Sequence, residues 1–166
     1  MSVSFRILSL LVLSSCLGVL GFGLYLQHVV HLEPCPLCVL QRVAFVAIGL
    51  TALLAFLHNP KRVGQMVYGL LMALFSLAGA AVAIRNLWLQ SLPPDQVPEC
   101  GPGLDYMLEA FPLSKALSMV FKGSGECAKV EWTMFGLAIP AWALAWFAVF
   151  FLVGLSAFFL RDKRRS

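Results

Sequence analysis

The chain has 166 residues, of which 60% are hydrophobic and only 12% are charged. A soluble domain of this size does not carry so large an apolar fraction, so lipid must form part of its surroundings. The formal net charge of +4 gives no support to nucleic-acid binding, because the basic residues concentrate at the ends of apolar runs. We therefore predict a membrane protein whose surroundings are the lipid bilayer, with no nucleic-acid partner.

Four apolar stretches are each long enough to cross a bilayer, which takes about 20 residues in a helix. None contains an acidic residue, and they cover roughly residues 7–27, 39–57, 66–88 and 137–160. The predicted fold class is all-α, an integral membrane four-helix bundle that forms one domain over residues 1–166. The segment "VLSSC" also resembles a lipoprotein processing site, but the apolar run continues past Cys16. An uncleaved helix with Cys16 as a packing residue is favoured.

Charge around the four stretches is uneven. Seven basic residues and one acidic residue fall at the termini and in the turn between the second and third stretches. Five basic and seven acidic residues fall on the opposite side. Because short cytoplasmic segments carry the excess of Lys and Arg, we predict that both termini are cytoplasmic and that residues 28–38 and roughly 89–136 face outward.

Four cysteines lie on the outward side: Cys35, Cys38, Cys100 and Cys127. Disulfides persist in such a compartment, and four cysteines allow three pairings. Two structural disulfides are one interpretation, although a Cys-x-x-Cys pair closes too short a ring to stabilise the fold much. A metal site that includes His28 and His31 is a second. Thiol–disulfide exchange is the third, and it suits the Cys-x-x-Cys spacing best.

The segment "EPCPLCVLQR" places Cys38 at the start of the second helix. Pro34 and Pro36 predict that this helix begins near Pro36–Leu37, which puts Cys38 in its first turn. The unpaired N–H groups and the positive dipole end of the helix stabilise a thiolate there. Arg42 follows at i+4 on the same face, and an arginine at the membrane surface is costly unless it serves a function.

These features together resemble the disulfide bond formation protein B (DsbB) family. The resemblance rests on the four-helix topology, on the Cys-x-x-Cys motif with Arg four residues later, and on a second cysteine pair between the third and fourth helices. The stretches "RNLWLQSLPPDQVPECGPGLDYM" and "GECAKVEWTMFGLAIPAWAL" are also similar to that family. The resemblance to the DsbB family covers nearly the whole chain.

The resemblance implies an enzyme of the bacterial inner membrane, a protein-dithiol:quinone oxidoreductase. The family reoxidises the periplasmic dithiol oxidase DsbA and passes the electrons to the membrane quinone pool, as ubiquinone or menaquinone. By motif, Cys35 and Cys38 form the quinone-coupled pair, with Arg42 beside Cys38. Cys100 and Cys127 form the pair that meets DsbA, and Cys127 resolves toward Cys35.

One position departs from the family pattern. Many members carry a histidine shortly before the "LQ" that ends the third helix, where it is thought to help hold the quinone. This chain has Asn86 there, next to Arg85. An asparagine can donate to a quinone carbonyl, so we expect Arg42, Asn86 and Arg85 to form the quinone site, with no metal.

The outer segment before the last helix is rich in Pro and Gly and is expected to be irregular. "LDYMLEAFPLSKALSMVF" is compatible with a short interfacial helix, and "KGSGEC" is expected to leave Cys127 freedom of movement. Two alternatives stay open. The chain could be an enzyme similar to the vitamin K epoxide reductase family, although that family has its Cys-x-x-Cys at a later helix. It could also be a non-enzymatic membrane protein whose cysteines form structural disulfides or bind a metal.

Overall fold

The structure is a computed structural model of the chain. It describes residues 3–93, 95–97, 112, 114–115, 118, 120, 123, 125–130 and 132–159. The long helices are α1 (Val3–His28), α2 (Pro36–His58), α3 (Arg62–Gln90) and α5 (Ile139–Phe159). Between α3 and α5 lie a one-turn helix, α4 (Gly125–Ala128), and the two-residue strands β1 (Thr133–Met134) and β2 (Leu137–Ala138).

Within this described part of the chain, four helices are long and apolar enough to cross a membrane. The protein is therefore a multi-pass membrane protein with a mostly helical fold, as predicted. The observed helices extend the predicted spans by a few residues at most ends, because hydropathy marks the apolar core of a helix while capping marks its termini. That residues 1–166 form a single domain stays a prediction.

Helix α2 begins where the prolines predict. Pro36 occupies the first turn, where its missing N–H is no loss. Cys35 is the N-cap in an extended conformation, and the backbone N–H of Cys38 donates to its Sγ at 3.4 Å. Asn59 ends the helix in the left-handed conformation that favours Asn and Gly. The prediction that Cys38 lies in the first turn is confirmed.

Small residues allow α3 and α5 to pack closely. A Cβ atom on Gly154 would lie 2.6 Å from the carbonyl oxygen of Gly69, so only glycine fits at this crossing. Further along the crossing, Gly79 leaves room for the ring of Phe147, which stacks on Phe45 with ring centroids 4.3 Å apart. Helix α2 packs against α3 and α1, whereas α1 touches α5 at only a few positions.

The segment before α5 holds two features that the sequence did not predict. Strands β1 and β2 form an antiparallel hairpin whose turn residues, Phe135 and Gly136, both have positive φ. Helix α4 packs against the end of α3. Just before α4, Gly123 has a φ of 83°, and a Cβ there would lie 2.3 Å from Leu89 of α3, so the chain approaches α3 closely at this glycine. Cys127 on α4 is 1% exposed and is therefore buried in this structure, while its freedom of movement stays a prediction.

The predicted interfacial helix, residues 104–121, falls mostly outside the described residues. Cys100 lies outside them as well.

Candidate functional site

The N-terminal end of α2 brings two thiols together. The Sγ atoms of Cys35 and Cys38 are 3.0 Å apart, and both residues are free thiols in this structure. Cys35 is held by its N-cap position and Cys38 by the first helical turn, so local backbone geometry alone sets their separation. A pair at this distance is within reach of disulfide formation.

A third thiol reaches the pair from the other side. Helix α4 buries Cys127 in a small apolar cluster with Leu37 and Leu89. The Cys127 side chain hydrogen-bonds the thiol of Cys35. Cys35 therefore lies between Cys127 and Cys38.

Helix α3 contributes a buried amide to the same cluster. Asn86 is fully buried, and its Nδ2 donates to Cys38 Sγ at 3.4 Å and lies 3.8 Å from Cys35 Sγ. An amide N–H that donates to sulfur favours the thiolate over the thiol. Asn86 therefore contacts both sulfurs of the pair.

Arg42 is anchored to the neighbouring helix. Its Nη1 donates to Oε1 of Gln27 at 2.5 Å, and its Nη2 donates to the carbonyl oxygen of Gly23 at 3.0 Å. Gly23 leaves room for the guanidinium, since a Cβ there would lie 3.5 Å from Nε of Arg42. These bonds fix a positive charge on the face of α2 that also carries Cys38.

Beside the thiols is a cavity of about 430 Å³, within the usual size range for small-molecule sites. It extends from Cys35 and Cys38 down between α1 and α5, as far as Ser15 and Trp146. Its walls are mainly apolar, and Arg42 is one of the few charged side chains in them. The cavity thus connects the thiol pair with the membrane-spanning part of the bundle.

Burial and the neighbouring thiols perturb Cys35. The hydrogen bond with Cys127, the largest influence, lowers its pKa. The hydrogen bond with Cys38, burial and the charge interaction with Cys38 outweigh it and raise the pKa of Cys35 from 9.0 to about 12. Cys35 therefore keeps its proton at neutral pH.

The structure brings most of the expected site residues together. Cys35, Cys38, Cys127, Arg42 and Asn86 lie together at the end of the bundle where α2 begins, and all of them except Asn86 line the cavity. Arg85 lies outside the cavity wall that the described residues form, with its guanidinium 4.2 Å from the ring centroid of Trp88.

Sequence reasoning missed Gln27, Gly23 and Gln41. Gln41 lies in the cavity wall three residues after Cys38. A signal for it was available, because a polar residue on the same face as Cys38 inside an apolar span is unusual. No local signal marks Gln27 or Gly23, since their contact with Arg42 depends on how α1 and α2 pack.

Comparison with known proteins shows the family to which the chain belongs. The family model described as "Disulfide bond formation protein DsbB" matches residues 5–157. A protein of Hahella chejuensis named "Disulfide bond formation protein B" is 57% identical over 146 residues, which cover 88% of each chain. Proteins of the same name from Acinetobacter baylyi and an Azoarcus species are 53% and 49% identical. They cover 92% and 96% of this chain and 90% and 95% of their own.

Both the matched residues and the relatives span nearly the whole chain, including the helices that carry the thiols and the cavity. The chain is a membrane disulfide bond formation protein that belongs to the DsbB family.

Proposed function

We propose that this chain oxidises the dithiol of a periplasmic DsbA-type protein and passes the electrons to a membrane quinone. The observation that carries the proposal is the row Cys127, Cys35 and Cys38, which ends at a cavity between membrane-spanning helices. A row of thiols that begins at Cys127 on α4 and ends beside a cavity between membrane-spanning helices suits transfer from a protein thiol to a lipid-soluble acceptor.

The residues around the cavity fit a quinone. Its volume of about 430 Å³ and the rings of Phe45, Trp142 and Trp146 suit a flat, mostly apolar head group. Arg42 supplies positive charge where negative charge develops on reduction. When bound, the quinone, either ubiquinone or menaquinone, accepts two electrons and two protons.

The outer pair starts the exchange. A partner thiolate attacks Cys100 in a Cys100–Cys127 disulfide, and Cys127 leaves as a thiolate. Cys127 then attacks Cys35 in the Cys35–Cys38 disulfide, and Cys38 keeps the electron pair of the broken bond. The second partner thiol displaces Cys100, which re-forms its bond to Cys127 and releases Cys35 as a thiol.

After these exchanges the partner holds a disulfide, and Cys35 and Cys38 are reduced. Re-formation of the Cys35–Cys38 bond would return this pair to its starting state and release two electrons and two protons, which a bound quinone would take up. The amide of Asn86, which donates to Cys38 Sγ, and the positive charge of Arg42 would both stabilise negative charge on that sulfur. Arg85 is kept as a further candidate on the strength of the family resemblance alone.

We also propose that the protein lies in the bacterial inner membrane with both termini in the cytoplasm. The uneven distribution of basic residues supports this orientation. Alkaline phosphatase, which is active only outside the cytoplasm, tests it as a fusion. A fusion after Ser166 is expected to be inactive, and a fusion after Gln96 is expected to be active.

The reaction is tested by its stoichiometry. Purified protein in detergent is mixed without oxygen with a reduced DsbA-type protein and a short-chain ubiquinone or menaquinone. We expect one partner disulfide per quinone consumed, over many turnovers. If the folded protein fails to oxidise the partner when either quinone is supplied, the proposed acceptor is excluded.

A further inference from the structure

Gln41 presents an unsatisfied hydrogen-bond donor beside the thiol pair. It lies on α2 between Cys38 and Arg42, lines the cavity and is only 4% exposed. Its Nε2 is buried and has no hydrogen-bond partner among the described residues. Buried amide groups are nearly always paired in native proteins, so an exception in a cavity wall needs an explanation.

Another buried glutamine gives a direct comparison within the same fold. Gln65 is 7% exposed, and its Nε2 donates to the carbonyl oxygen of Pro60 at 3.1 Å. The hydroxyl of Ser76 also has no hydrogen-bond partner among the described residues, but a serine in a helix can rotate its hydroxyl onto the preceding turn. Gln41 is therefore the unsatisfied donor that lies in the cavity wall.

Arg42 is a donor of a different kind. Each of its terminal nitrogens donates one hydrogen bond to α1, one to Gln27 and one to Gly23, and its remaining N–H groups belong to a charged guanidinium that is anchored on α1. The guanidinium thus supplies charge from a fixed position. The Nε2 group of Gln41, by contrast, has no hydrogen-bond acceptor among the described residues. Gln41 lies one helical turn from Cys38, and a ring that reacts with Cys38 must lie beside that sulfur.

We infer that Gln41 is a ligand-binding residue whose Nε2 donates a hydrogen bond to a carbonyl oxygen of the quinone bound beside Cys38. This inference rests on the proposed function. It assigns the cavity a preference for a ligand with a carbonyl acceptor. A carbonyl oxygen is a better acceptor than the hydroxyl of the reduced ring, so the same bond favours the oxidised ligand over the product.

The test compares the same substitution at two buried glutamines, Gln41→Met and Gln65→Met. Methionine keeps the length of the side chain and removes the amide. The probe is a short-chain benzoquinone with ¹³C at its ring carbonyls. Equilibrium binding gives its Kd, and infrared difference spectroscopy gives the carbonyl stretching frequency of the bound molecule.

We expect the wild type to shift a carbonyl band to lower frequency. Gln41→Met is expected to lose that shift and to bind about tenfold more weakly, whereas Gln65→Met keeps both properties. If Gln41→Met binds the probe with an unchanged Kd and the same shifted band, the inference is wrong while the proposed function stands. If the wild type neither binds nor reduces the quinone, the proposed function fails and the inference fails with it.

Loss of folding in Gln41→Met does not remove the test. The wild-type spectrum alone is decisive in one direction, because an unshifted carbonyl band in the bound quinone contradicts a hydrogen bond from Gln41.

Discussion

The side-chain amide of Asn86 donates a hydrogen bond to Cys38 Sγ at 3.4 Å, although 48 positions separate the two residues in the chain. The contact joins α3 to the first turn of α2 and places a neutral donor against the sulfur to which we assign the negative charge. It gives Asn86 a role at the thiol, in addition to any contact with the quinone.

Replacing Asn86 by leucine is expected to make Cys38 less reactive. A hydrogen bond to a charged group is worth about 1.5–3 kcal/mol, so the alkylation rate of Cys38 at neutral pH should fall by about tenfold or more. The rate is measured in the reduced protein by a short pulse of iodoacetamide and mass spectrometry. An unchanged rate in a folded Asn86→Leu protein would show that the amide does not act on the thiol.

Cys35 is expected to stay protonated under conditions where Cys38 reacts. Because its pKa is raised to about 12, the thiolate fraction of Cys35 remains small at pH 7–9 and rises only toward pH 12. In the reduced protein, brief alkylation between pH 7 and pH 9 should modify Cys38 and spare Cys35. Modification of Cys35 with a midpoint at or below pH 9 would contradict this assignment.

The space at Gly23 is expected to control the position of Arg42. A Cβ at this site would lie 3.5 Å from Nε and 3.6 Å from Nη2 of Arg42, which is ordinary contact. Gly23→Ala should therefore keep normal turnover, whereas the extra methyl groups of Gly23→Val should displace the guanidinium and slow quinone reduction by about tenfold. Equal activities of the two variants would show that the anchor on α1 is unimportant.

The crossing of α3 and α5 is expected to tolerate no side chain. Gly154→Ala would bring its Cβ to 2.6 Å from a backbone oxygen of Gly69, and overpacking of this kind costs about 1–3 kcal/mol. Thermal unfolding in detergent should show a lower midpoint. Gly21→Ala is the matched control, because a Cβ there meets nothing within 4 Å. A similar midpoint for both variants would argue against close packing at Gly154.

The bundle and the start of α2 could be predicted from sequence because each depends on local information. Apolar runs fix the four membrane helices, and Pro36 fixes the first turn that carries Cys38. The contacts of Arg42 with Gly23 and Gln27 were not predictable in this way, since 19 and 15 positions separate the partners. They depend on the angle and register at which α1 meets α2.

The segment before α5 shows a different limit. Strands β1 and β2 have two residues each, too short for an alternating pattern to be visible. Their turn uses Phe135 and Gly136 rather than the Asn-Gly pair typical of such hairpins. The Gly- and Ser-containing segment before Cys127 suggested mobility, but burial against Leu37 and Leu89 determines the position of that thiol.

The central claim is that electrons leave the protein through Cys38, and two cysteine variants test it most directly. Reduced DsbA-type protein and a short-chain quinone are mixed anaerobically with wild type, Cys38→Ser or Cys16→Ser, and the quinone absorbance is followed. Cys16 is a buried thiol that packs against Gly49 within the bundle, so it controls for the loss of a cysteine as such. The account predicts multiple turnovers for wild type and Cys16→Ser and none for Cys38→Ser. Continued quinone reduction by Cys38→Ser would contradict it.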